Sequence, residues 1–172
     1  MSTHDTADAH PRFADALREL GLTVPVRRFP EATRTAQQAA DAIGCDVAEI
    51  VKSLVFEVRG AGAGAKGPGE PVVVLVDGSS RVDVERVRGE LGAASVERAS
   101  AGTVRAATGY AIGGVPPFGH LTPSRVLADR GLLDHAVVWA AAGTPHTVFP
   151  LDPKTLIAHA GATVVDVRER TA

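Results

Sequence analysis

The sequence has a single cysteine, Cys45, among its 172 residues. That excludes an internal disulfide and any thiolate-rich metal site. It contains no run of about 18 or more apolar residues. The opening segment Met1 to Pro11 is polar and lacks the basic start and apolar stretch of a secretory leader. An excess of positive charge is also missing: 18 Lys and Arg against 20 Asp and Glu give a formal charge of −2. A protein that coats DNA or RNA by neutralising phosphates is thereby excluded, whereas a local basic patch touching one end of an RNA is not. His4, His10, His120, His135, His146 and His159 form no HExxH pattern and no close His–carboxylate grouping, so neither a metal nor another cofactor is expected. These absences together predict a cytoplasmic protein with no membrane partner.

What remains is enough for one packed core. Hydrophobic residues make up 45% and charged residues 22%, which predicts one domain over 1–172, with residues 1–10 as a flexible tail. Helical spacing of Phe13, Ala16, Leu17 and Leu20 predicts a helix over Pro11 to Leu22, followed by an extended Val24 to Phe29. Thr35 and Gln38 have capping-box spacing, and Ala36, Ala39, Ala40 and Ile43 form one apolar stripe up to Gly44. Lys52 to Val58 and Val72 to Val76 read as strands. Between them, residues 60–69 are too poor in side chains to bury anything and read as a flexible hairpin loop. Asp83 and Ser100 cap two further helices around a short strand at Ala94 to Val96. Strands at Arg125 to Ala128, Ala136 to Ala141 and Thr147 to Phe149 come next, then a helix Asp152 to His159 and a last strand Thr163 to Val167. This alternation predicts an α/β fold with a mixed, curled sheet, and periodicity alone does not decide whether it closes into a barrel.

Two features carry chemistry. Lys52 shares strand parity with Leu54, Phe56 and Val58, which aims its ammonium from the apolar face. The same spacing also fits a frayed strand end whose lysine snorkels to water. The second feature is the run Gly109 to His120, where glycines permit close backbone approach and Pro116 and Pro117 stiffen the loop. Because prolines lack an N–H, any oxyanion hole here draws its donors from Gly113, Gly114, Val115, Phe118 or Gly119. An ordinary tight turn is the plainer account of this composition, and the Lys and Ser/Thr of a P-loop are missing.

The Ala-rich helix through Gly44, the run Glu49 to Phe56 with its lysine, the Gly109 to Gly119 block, Ala141-Ala142-Gly143 and the closing Gly161 to Val167 occur in one order. In that order and setting they resemble the YbaK/EbsC family, editing domains also found inserted in or associated with bacterial prolyl-tRNA synthetases. The resemblance spans most of the chain. It implies an α/β fold with a barrel-like sheet, and metal-independent hydrolysis of mischarged aminoacyl-tRNA, with the acceptor end of the tRNA and prolyl-tRNA synthetase as partners. Carried over, it implies that Lys52 binds the terminal nucleotide and that Gly114 and neighbouring amides hold the scissile carbonyl. Gly113, Val115, Pro117, Phe118 and Gly119 would line the pocket and Gly143 would shape its aminoacyl end. An activated ester of this kind needs positioning more than a protein general base. The chain departs from the family in its long 60–69 loop and in Pro116, where relatives often carry a small polar residue. The reading from a different class is a non-catalytic module that binds aminoacyl-tRNA or a small ligand in the same pocket.

Three other groups were natural candidates. Cys45 follows a helix-stopping glycine without a local base and reads as structural. His120 stands beside the loop as a cap or a solvent-facing residue. Arg81, Arg86, Arg88, Arg98 and Arg105 read as a basic rim for an acceptor stem or as solvated helix faces.

Overall fold

A computed structural model of the chain describes residues 8–60 and 69–169. The expected flexible loop, apart from Gly60 and Gly69, and most of the expected tail lie outside the described residues. The last residues of that tail are packed: Ala9 is buried, and the His10 N–H donates to the Ala142 carbonyl at 3.0 Å.

Helix α1 (Pro11–Leu20) starts under the His10 cap and turns Phe13 and Leu17 into the core. It stops before Leu22 because Gly21 adopts left-handed backbone, and the Gly21 and Leu22 N–H groups close onto carbonyls of the last turn. Of the extended segment that follows, only β1 (Arg27–Arg28) is paired. Helix α2 (Ala36–Ile43) obeys its local signals, with Thr35 Oγ1 accepting the Gln38 N–H at 3.0 Å. After a 3-10 turn at Val47–Glu49, β2 (Val51–Arg59) and β3 (Glu70–Asp77) pair antiparallel, Lys52 opposite Val76. Asp83 and Ser100 cap α3 (Val84–Leu91) and α4 (Ala101–Thr108), which flank β4 (Ser95–Arg98). The elements β5 (Arg125–Asp129), β6 (Val138–Ala141), β7 (Thr147–Leu151), α5 (Pro153–Ala160) and β8 (Thr163–Val165) complete the described chain.

The fold is mixed α/β, as expected, but the sheet is not barrel-like. A five-stranded sheet runs β4-β2-β3-β5-β8 and a separate three-stranded sheet runs β1-β7-β6. In the larger sheet β3–β5 and β5–β8 are parallel and the other pairs antiparallel. Closure into a barrel needs pairing that continues around every strand. Here β4 covers only Phe56 to Arg59 of β2, and among the described residues outside the named strands a single bridge, Ile50 to Trp139, links the sheets.

Strand β3 lies at the centre, with Val72 to Val76 fully buried, which is why it reads as an unbroken apolar run. On one face Val73 and Leu75 pack with Val55, Phe13, Leu156 and Phe149. On the other, Val72 and Val74 pack with Phe56, Val58 and Val87. No helix among the described residues is long and apolar enough to cross a membrane.

Candidate active site

The uncovered half of β2, Val51 to Val55, borders a cavity of ≈ 230 Å³ where the two sheets approach each other. Its other walls mix small residues, Ala36 and Ala39 of α2, Ala99, and Ala140 of β6, with larger ones such as Val104 of α4, Ile112, Trp139 and Val148. Ala99 donates to the Val55 carbonyl at 3.0 Å and marks the point at which β4 peels away from β2.

Lys52 lines this cavity half-buried, and its Nζ donates to the Ser80 carbonyl. Burial pushes the Lys52 pKa below its ordinary value; the Asp77 carboxylate opposes that shift, and Arg81 and Arg98 reinforce it. An ammonium among other cations, held by one carbonyl, favours an incoming anion.

The glycine-proline loop is closed by the Tyr110 hydroxyl, which donates to the Gly119 carbonyl at 2.8 Å. His120 Nε2 lies 2.7 Å from the Pro116 carbonyl oxygen, and burial holds its pKa down against that hydrogen bond. The Gly114 N–H donates to the Ala111 carbonyl at 2.9 Å, so this amide belongs to a turn. Gly113 and Val115 line the cavity, and their N–H groups have no partner among the described residues. A Cβ on Gly114 would come within 2.9 Å of the Gly143 carbonyl oxygen and of Thr144 Cα. Gly143 has φ 101°, and a Cβ there would overlap the His10 side chain. The two glycines thus press backbone against backbone behind the cavity. Pro117, Phe118 and Gly119 are not among the cavity's lining residues: Phe118 is buried against Phe13 and Phe149 at 5.4 and 6.0 Å between ring centroids, Gly119 backs onto Ala16, and Pro117 is buried. Phe118 and Gly119 fasten the loop to α1 and the core.

One cavity residue carries no signal in the sequence. Ser53 Oγ is buried with no hydrogen-bond partner among the described residues, and Ser53 lines the cavity. The neighbouring hydroxyls are engaged: Thr33 Oγ1 donates to the Pro145 carbonyl at 3.3 Å, and Thr144 and Thr147 bond each other at 2.8 Å. A serine within an apolar strand looks like any packed serine until its partners are counted.

The arginines divide. Arg34 and Arg98 line the cavity mouth, while Arg86 and Arg88 pair with Asp83 and Glu85 on α3. Arg105 is exposed on α4. Cys45 is partly buried, and burial, then Glu49 and Asp46, push its thiol pKa up. No group of three or more His, Cys, Asp or Glu among the described residues could hold a metal ion.

The cavity brings a lysine and loop amides together at a sheet edge. The family model for the aminoacyl-tRNA editing domain matches residues 30–158, and the chain belongs to that family. It is similar to the uncharacterized protein YwhH of Bacillus subtilis (strain 168), 32% identical over 132 residues that cover 76% of this chain and 78% of that one. A 99-residue match, 30% identical, to the proline–tRNA ligase of Thermosipho melanesiensis covers 58% of this chain and 16% of the ligase. A solved structure described as a candidate trans-editing enzyme for prolyl tRNA synthetase is 40% identical with TM-score 0.82, covering 92% of this chain and 96% of that one.

Proposed function

We propose that the chain is a metal-independent aminoacyl-tRNA deacylase. Acting in trans beside prolyl-tRNA synthetase in the cytoplasm, it would hydrolyse a small amino acid such as alanine, cysteine or serine from tRNA-Pro. The observation that carries this reading is that Lys52 and the amides of Gly113 and Val115, unpartnered among the described residues, share one cavity. Family membership supports the reaction class, and the description of the 40% identical structure supports the tRNA and the trans arrangement.

In this reading Lys52 holds phosphate or ribose oxygens of the terminal adenosine, as a point-charge donor does well. The Gly113 and Val115 amides donate to the carbonyl oxygen as it gains negative charge, while Gly114 keeps the turn that presents them. Water adds to the carbonyl carbon, the acyl C–O bond breaks, and the ribose oxygen leaves with a proton to restore the tRNA hydroxyl. With cysteine as the aminoacyl group, the substrate's own thiol is an alternative nucleophile. A cavity of about 230 Å³ with alanines in its walls suits the task, because a synthetase pocket separates amino acids differing by one methylene by only about 1–3 kcal/mol.

The test is ester loss from tRNA-Pro charged separately with alanine, cysteine, serine and proline, with EDTA present, for the wild type and Lys52→Ala. Release from one mischarged species, lost in the variant, supports the reading. Stoichiometric protection of the ester without turnover would instead make the chain a binding module.

A further inference from the structure

We infer that Asp77 is a positioning residue for Lys52: it fixes the Ser79–Ser80 turn whose carbonyl carries the lysine ammonium, and joins that turn to Arg168. Its effect on catalysis rests on the deacylase reading; its effect on the lysine does not.

Asp77 ends β3 opposite Val51 and is only 3% exposed. Its carboxylate accepts the Ser79 N–H at 3.0 Å, the Ser79 hydroxyl at 2.5 Å and the Ser80 hydroxyl at 2.9 Å. Arg168 Nη1 stands 3.6 Å away, and the same guanidinium bonds Asp129 through Nε at 2.8 Å. The turn is stitched to the C-terminal segment again by Asp83 N–H to the Val167 carbonyl at 2.7 Å and by Glu169 N–H to the Arg81 carbonyl at 2.8 Å. Ser80, gripped in this way, offers its carbonyl to Lys52 Nζ.

An asparagine could keep the Ser79 bonds through its one carbonyl oxygen, but its amide NH2 cannot accept from the Ser80 hydroxyl or face Arg168 as the second carboxylate oxygen does. Asparagine also lacks the charge. Burial raises the Asp77 pKa, but the bonds from Ser79 and Ser80 and the Arg168 charge outweigh it and keep the carboxyl below its ordinary value. The charged groups that act on Lys52 are this carboxylate and the guanidiniums of Arg81 and Arg98. Asp77 is therefore the anion that opposes the fall in the Lys52 pKa caused by burial, Arg81 and Arg98, and the Arg168 charge adds to the Ser79 and Ser80 bonds that hold Asp77 below its ordinary value.

The experiment follows Lys52 directly, by the pH titration of its carbon resonance in protein labelled with [ε-13C]lysine, with Lys66 and Lys154 as internal references. Asp77→Asn is expected to move the Lys52 titration to lower pH while the two references stay fixed. An unmoved Lys52 overturns the inference, whatever the activity does. In single-turnover deacylation, Asp77→Asn and the milder Ser80→Ala are expected to lower the rate about 10- to 100-fold. Asp77→Asn should lower it no further in a Lys52→Ala background. An equal further loss in that background assigns Asp77 to the fold alone and overturns the inference. A wild type that releases no amino acid overturns the deacylase reading, and the titration still decides the role of Asp77.

Discussion

At the scale of single residues, Ser53 separates stability from function most cleanly. A buried hydroxyl without a partner costs about 1–3 kcal/mol relative to a satisfied one. Ser53→Ala should therefore leave urea stability equal to or slightly above wild type, while deacylation falls about tenfold if the hydroxyl meets the substrate. Unchanged activity would show that Ser53 only fills the wall. Cys45→Ser should deacylate at the wild-type rate, and the Cys45 thiol should react slowly with iodoacetamide at neutral pH, because burial and two acids disfavour its thiolate. Lys52 was legible because strand parity needs only neighbours along the chain. Ser53 was not, because an orphaned hydroxyl is defined by groups that arrive from β6, α4 and the Gly113 loop. The same holds for Gly114, whose place in the loop is visible in the sequence, whereas the capture of its amide by Ala111 is a property of the folded turn.

At the scale of elements, the contrast between two glycines tests how tightly the cavity's back wall is built. Gly21 ends α1 with φ 66° and has open space where a Cβ would go, so Gly21→Ala should cost about 1 kcal/mol, the strain of left-handed backbone. Gly143 has φ 101°, and a Cβ there would strike the His10 side chain and approach Tyr110, so Gly143→Ala should cost about 3 kcal/mol or more. Urea midpoints at constant slope would measure both. Helices with local punctuation, such as α2 between Thr35 and Gly44 or α3 behind Asp83, could be placed from the sequence because capping is a short-range interaction. The partition into two sheets could not. It depends on β4 being four residues long and pairing only with Phe56 to Arg59, and nothing in an alternating apolar pattern says where a partner strand will stop. That early stop leaves the edge of β2 bare and forms the cavity.

At the scale of the whole molecule, acid should destabilise the fold in two stages. Burial, with Arg12, holds the pKa of His10 below that of a free histidine, and burial does the same to His120. The unfolded chain therefore binds protons first, and stability falls as pH drops through about 6.5 towards the lowered folded values. Asp77 behaves as a depressed carboxylate: its contribution is complete above about pH 4 and disappears as pH falls through its folded pKa. Denaturation midpoints taken from pH 8 downward should be flat and then show both declines, and His120→Gln should shrink the first. Binding of uncharged tRNA should respond weakly to salt. Lys52, Arg34 and Arg98 are the cations lining the cavity, so the log–log slope should be near −2, at about 0.7 counterions released per contact with single-stranded RNA. A much steeper slope would bring the exposed α4 face, with Arg105, into the contact. The tie between Arg168 and Asp77 also marks a weak point. A protease that clipped the chain just before Arg168 would remove one anchor of the Ser79–Ser80 turn without touching the cavity walls, leaving Asp77's own bonds beneath the lysine's support.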